Sequence, residues 1–275
     1  MTQHLSQVIG LAALPRSGTT LLTSILGVHS RICPIYEPWN ATKEKRSIQD
    51  HANLQEFINQ VKPNLGNRDV LLVKETTTHA RFLQNLEFLL GSAAESCAVN
   101  LIILIRTPLH VFTSEVQARR EWWGHENVQV SKEEFGLWAE KTLRNLRMLD
   151  RVADCFNALL VSYEAICLRQ NLLGTLMKEL NLSLEPRQLE YERHVDRKLV
   201  RGDIGLASNP KPISKESMSR RQEEIAAVRD LIDTHPLFPA IQRHADVVAA
   251  IESKGIVHRG DFGSLLSGAP PDKTA

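Results

Sequence analysis

Arg16 stands two residues before Gly18 in Leu14-Pro15-Arg16-Ser17-Gly18-Thr19-Thr20, between an apolar run that starts at Val8 and a second one that begins at Leu21. A strand, a tight turn and a helix in that order leave the first helix amides without intrahelical partners, pointing back into the turn. The helix dipole adds positive potential there. Such a turn is a cradle for an anionic oxygen group. The place of the cation narrows the chemistry. In the nucleotide-hydrolysing loop G-x-x-x-x-G-K-[ST] a lysine follows the second glycine and reaches the terminal phosphates, whereas here Thr19 holds that place. The planar fork of Arg16 lies on the turn itself, where it can grip a phosphate or sulfonate. The pattern argues against an ATPase or kinase and for a loop built around a different phosphorylated donor.

A second constellation lies downstream. Val99-Asn-Leu-Ile-Ile-Leu-Ile105 reads as a buried strand that ends in Arg106 and enters a helix at Pro108. Proline suits a first helical turn, where its missing N–H costs nothing. An arginine at the strand tip and a serine two helical turns on, Ser114, reach the crevice where open α/β sheets bind ligands, and both can bind one phosphate.

Taken together, these segments resemble a known family. Pro15-Arg16-Ser17-Gly18-Thr19-Thr20-Leu21-Leu22 is similar to the 5′-phosphosulfate loop of sulfotransferases that use 3′-phosphoadenosine 5′-phosphosulfate (PAPS), especially the tyrosyl-protein and carbohydrate branches, which write it with arginine. The segment around Arg106 and Ser114 is similar to the family's 3′-phosphate motif. The resemblance covers residues 8–180 well and the remainder weakly. It implies an α/β, P-loop, three-layer fold with a central parallel sheet flanked by helices. PAPS is then the donor and the bisphosphate PAP the product, with no metal. Arg16, Ser17, Gly18, Thr19 and Thr20 would hold the 5′ end, and Arg106 and Ser114 the 3′-phosphate. A looser likeness of Lys198–Ile213 to the family's cover over the nucleotide adds Arg201 and Ser208.

Sulfuryl transfer needs a base for the acceptor hydroxyl and cations for the moving group. Glu37, in Tyr36-Glu37-Pro38-Trp39, ends the second predicted strand. It resembles the general base of the tyrosyl-protein and carbohydrate 6-O-sulfotransferases, at the same distance from the loop arginine. Lys74, at the tip of the third strand, resembles the family lysine that contacts the bridging oxygen or sulfonate. Small-molecule sulfotransferases place a histidine two residues after that lysine, where this chain has Thr76. Glu75 and His79 therefore stay open as rival bases. Tyr163-Glu164 looks like a structural element of the family and is left out of the site. Trp122 and Trp123 fall where a substrate rim would form, although core filling suits them better.

Composition bounds the rest. The chain has 275 residues, 43% of them apolar, enough for one large α/β domain, expected over 1–267, with a disordered tail over 268–275. A net charge of +1 gives no global field to recruit nucleic acid or an anionic membrane. Residues 1–7 lack a secretion signal, no run approaches the ~18 apolar residues of a membrane span, and the four cysteines are scattered without metal spacing. The expected setting is a soluble, cytoplasmic, bacterial enzyme acting on a hydroxyl of a carbohydrate or small natural product. The alternative is a P-loop nucleotide kinase or nucleotide-binding protein without sulfonate transfer.

The elements that must position these groups alternate as a parallel sheet requires. Strands are predicted at Val8–Leu14, Ile32–Tyr36, Val70–Lys74, Leu101–Arg106 and Ala158–Tyr163. Helices are predicted at 18–28, 50–61, 78–90, 108–120, 131–157, 164–180, 214–234 and 239–253. The box Ser131-x-x-Glu134 opens the fifth of these helices, with Phe135, Trp138, Leu143 and Leu146 as its core stripe.

Overall fold

A computed structural model describes residues 5–39, 54–78, 80–121, 124–125, 130–195, 225–226 and 228–265. Its strands are β1 (Gln7–Ala13), β2 (Ile32–Tyr36), β3 (Val70–Thr76), β4 (Ala98–Ile105), β5 (Leu159–Ser162) and β6 (Ile256–His258). They form one sheet in the order β2-β3-β1-β4-β5-β6. The helices are α1 (Thr19–Gly27), α2 (Leu54–Leu65), α3 (Ala80–Ala94), α4 (Pro108–Glu121), α5 (Lys132–Cys155), α6 (Tyr163–Leu168), α7 (Gln170–Glu179), α8 (Pro186–Leu189), α9 (Tyr191–His194) and α10 (Phe238–Lys254). No helix among the described residues is long and apolar enough to cross a membrane.

The chain divides into two compact units. One comprises residues 1–13, 18–103 and 173–212, the other 14–17, 104–172 and 213–275. In the first unit β3 lies between β1 and β2 and runs parallel to both. Gln7 stands opposite Val70 and Ala13 opposite Thr76, while Ile32 pairs with Val70 and Tyr36 with Lys74. Both β1 and β3 are buried along their whole length, which is why they read as continuous apolar runs rather than alternating ones. The register has a functional consequence: Tyr36 is the last paired residue of β2, so Glu37 leaves the sheet beside Lys74. Gly10 lets Leu90 of α3 and Leu101 of β4 close onto β1, since a Cβ there would meet their side chains at 3.0 Å and 3.1 Å.

In the second unit the expected core stripe of α5 is present. Phe135 and Trp138 pack with Phe112 of α4, Ile232 and Ile241 into one apolar cluster, against which Leu143 also rests. Ring centroids of Phe112 and Phe135 are 5.5 Å apart, edge to face. Ser131 caps α5 by accepting the Glu134 N–H at 3.1 Å. The Glu134 carboxylate accepts from Arg119 at 2.6 Å.

The expected parallel central sheet is present, and an unexpected strand joins its edge: β6 pairs antiparallel with β5, Leu159 opposite His258 and Val161 opposite Ile256. At three residues it is too short to show a period. The single helix expected over 164–180 is two, because Arg169 breaks the helical path at φ −126°, ψ 90°. The first of them is capped by Ser162, whose hydroxyl accepts the Ala165 N–H at 3.2 Å. The expected helix start at 214, Arg201, Ser208 and the 268–275 tail lie outside the described residues, as do His79, Trp122 and Trp123.

Candidate functional site

The loop between β1 and α1 is shaped by two left-handed residues. Arg16 has φ 66°, and Gly18, the residue before α1, has φ 89° and ψ 15°. A side chain at the second of these would cost about 1 kcal/mol. No side chain caps α1 and no acidic residue lies in its first turn, so its positive end is left for an anion. The turn is closed by Ser17 N–H donating to the Leu14 carbonyl at 3.3 Å. The Ser17 hydroxyl is buried and has no hydrogen-bond partner among the described residues. An orphaned buried hydroxyl calls for an acceptor, and an anionic oxygen fits.

Three of the predicted donor-binding side chains of the second unit come together. Arg16 Nε donates to Ser114 Oγ at 3.3 Å. Arg106 Nη1 donates to the Arg16 carbonyl at 2.8 Å. Arg106 and Ser114 are both buried. Two guanidinium groups and a hydroxyl gathered in this way suit a dianionic group such as phosphate.

Two residues left out on sequence hold Arg106 in place. Its guanidinium carbon stands 4.5 Å from the centroid of the Tyr163 ring, a stacking that arginine favours. Buried Glu164 accepts the Thr107 N–H at 3.0 Å, meets His110 Nδ1 at 3.1 Å and accepts the Ser162 hydroxyl at 3.3 Å. Burial pushes the Glu164 carboxyl up. The hydrogen bonds from His110 and the Thr107 amide, with the charge of Arg106, outweigh it and hold the group below its ordinary value. Glu164 thus fixes the turn from which Arg106 projects. The available sequence signal was polar Ser162-Tyr163-Glu164 at the tip of an otherwise apolar strand.

In the first unit Lys74 and Glu37 form an ion pair, Nζ to Oε1. Their side chains are 2% and 16% exposed, so the pair is sheltered and only the carboxylate meets solvent. Glu37 has φ 44°, left-handed for a residue with a side chain, and its N–H donates to the Lys74 carbonyl at 2.9 Å. Glu75, a rival base on sequence, is wholly buried. Its Oε1 accepts the Trp39 N–H at 3.4 Å. Burial first, and the charge of Glu37 second, push its carboxyl up to about 8. A cavity of about 320 Å³ in the same unit lies at the opposite end of α1, against Gly27, Val28 and His29, and contains none of the candidate residues.

No family model and no curated protein matches the sequence. Among solved structures, the chain is similar to the sulfotransferase domain from the curacin biosynthetic pathway, at 18% identity and a TM-score of 0.51 over 80% of this chain and 98% of that one. It is also similar to the sulfotransferase domain from the Synechococcus PCC 7002 olefin synthase, at 18% identity and a TM-score of 0.53 over 83% and 94%. The chain therefore has the α/β fold seen in sulfotransferase domains, with a six-stranded, mostly parallel central sheet flanked by helices.

Proposed function

We propose that this chain is a sulfotransferase that moves a sulfonate from PAPS to a hydroxyl of a carbohydrate or small natural product. The observation that carries the reading is the cluster of Arg16, Arg106 and Ser114. It suits a dianionic group such as the 3′-phosphate of that donor, beside the loop proposed for the 5′ end, and the fold shared with sulfotransferase domains supports the reading. Arg106 and Ser114 would take the 3′-phosphate. Arg16, Ser17 and the loop amides of Gly18, Thr19 and Thr20 would take the 5′-phosphosulfate. Arg201 and Ser208 are proposed as cover over the nucleotide.

In the proposed reaction the acceptor oxygen forms a new bond to sulfur as the bond from sulfur to the bridging phosphate oxygen breaks. The hydroxyl proton passes to the Glu37 carboxylate, and PAP leaves with the electron pair of the broken bond. Positioned acid–base groups and preorganised cations supply the rate. The pairing of Glu37 with Lys74 gives the step an internal logic. Once Glu37 takes up the proton its negative charge is gone, and the Lys74 ammonium is released toward the negative charge developing on the bridging oxygen. Both structural relatives come from biosynthetic systems, one for curacin and one for an olefin, in keeping with a biosynthetic alcohol as acceptor.

The test is transfer of labelled sulfonate from PAPS to a panel of sugars, phenols and natural-product alcohols, with Glu37→Gln as control. The reading expects a labelled product from at least one hydroxyl class and a large loss in the variant. Label released at equal rates by both proteins would refute Glu37 as the base.

A further inference from the structure

We propose that Glu75 is a positioning residue of this reaction: through the Trp39 amide it holds the left-handed turn that sets the Glu37 carboxylate against Lys74. The proposal rests on the reading of Glu37 as the base. A positive φ on a glutamate costs on the order of 1 kcal/mol and persists only where surrounding contacts impose it. Here they come from two successive residues of β3. The Lys74 carbonyl accepts the Glu37 N–H at 2.9 Å, Lys74 Nζ pairs with the Glu37 carboxylate, and Glu75 Oε1 accepts the Trp39 N–H at 3.4 Å. Trp39 is itself buried, its ring 5.8 Å from that of Phe57. The turn is thus clamped at its first residue by Lys74 and at its third by Glu75.

The clamp works only while Glu75 is neutral. The side chain is 0% exposed, and its Oε2 has no hydrogen-bond partner among the described residues. Among the described residues the charged groups that act on it are Glu37, from the turn after β2, and Lys74, from its own strand; burial and the Glu37 charge push its carboxyl up to about 8. As a neutral acid it offers a carbonyl oxygen to the Trp39 amide and leaves Lys74 to Glu37. Once ionised it becomes a second carboxylate competing for that lysine, and the base loses its fixed partner.

The experiment compares the parent with Glu75→Gln, Glu75→Leu and Glu37→Gln. Glutamine keeps the neutral carbonyl and cannot ionise, so Glu75→Gln should turn over at a rate near the parent's at pH 7, while the alkaline fall in kcat near pH 8 moves up or vanishes. Glu75→Leu removes the acceptor for the Trp39 amide and should lower kcat by on the order of 10², the scale of a misplaced reacting group, with KM for the donor unchanged. Independently of activity, carboxyl NMR of glutamate-labelled protein should show one group titrating near pH 8, absent in Glu75→Gln and shifted to lower pH in Glu37→Gln, with the Trp39 amide resonance following it. Equal losses in Glu75→Gln and Glu75→Leu, an unchanged pH profile in both, or no carboxyl that responds to Glu37→Gln would each overturn the proposal. A parent that transfers no sulfonate but shows the coupled NMR titration would refute the assignment of the reaction and leave the clamp standing.

Discussion

Replacing Arg106 by alanine separates recognition of a 3′-phosphate from damage to the fold. The guanidinium donates to the Arg16 carbonyl at 2.8 Å and stacks on Tyr163 at 4.5 Å, so its removal loosens the loop after β1 whatever nucleotide is offered. Only a ligand with a 3′-phosphate loses a charge-assisted hydrogen bond as well, about 1.5–3 kcal/mol. At 1.4 kcal/mol per factor of ten, that differential is roughly 10- to 150-fold. The assay is calorimetric affinity for PAP and for adenosine 5′-monophosphate in parent and variant, with thermal unfolding to monitor the fold. The ratio of PAP to monophosphate affinity should fall by that factor, while the monophosphate alone changes less. Equal losses for both ligands, or a parent that does not distinguish them, would refute the assignment of Arg106.

Other substitutions address the remaining parts of the site. Glu37→Gln should keep PAP affinity and lower transfer by roughly 10²–10⁴-fold, the scale of a removed general base, measured with labelled donor at saturating concentration. Ser114→Ala removes the hydroxyl that accepts from Arg16 Nε at 3.3 Å. A lost hydrogen bond to a charged partner, about 1.5–3 kcal/mol, should appear as a weaker PAP dissociation constant, by roughly 10- to 150-fold. His244 concerns stability: its Nδ1 lies 2.6 Å from the Leu265 carbonyl, and burial pushes the imidazole down to about 4. Between pH 6.5 and about 4 the unfolded chain binds a proton that the folded chain refuses, so stability falls as the pH is lowered through that window. His244→Asn, which keeps a donor for Leu265, should flatten this fall in urea unfolding at pH 4.5, 5.5 and 6.5; parallel curves would speak against it.

The turn between β1 and α1 and the turn at Arg106 were legible in sequence because their signals are local. A strand, a turn with arginine and glycine, and a helix lie within about fifteen residues of Val8, and the second strand ends directly in Arg106. The bounds of β2 and the start of α4 at Pro108 follow from equally local signals. What escaped depends on contacts distant in sequence. Glu164 reaches Thr107 and His110 across more than fifty positions, and nothing in Tyr163-Glu164 by itself announces which turn it serves. Glu75 looked like a possible base because it follows Lys74. Only the pairing of β2 with β3 reveals that it lies beneath the Glu37 turn, wholly buried. The antiparallel β6 needed the same kind of long-range information.

The central claim is that the donor is an adenosine carrying phosphate at its 3′ position, held by arginines rather than by a magnesium-bound triphosphate. The most direct measurement is the thermal unfolding temperature with PAP in EDTA, compared with ATP and magnesium. A ligand at about 100 times its Kd adds about 2.7 kcal/mol of stability, or several degrees for a chain of this size. PAP should produce that shift without metal and ATP with magnesium should not; a shift with ATP and magnesium alone would contradict the account.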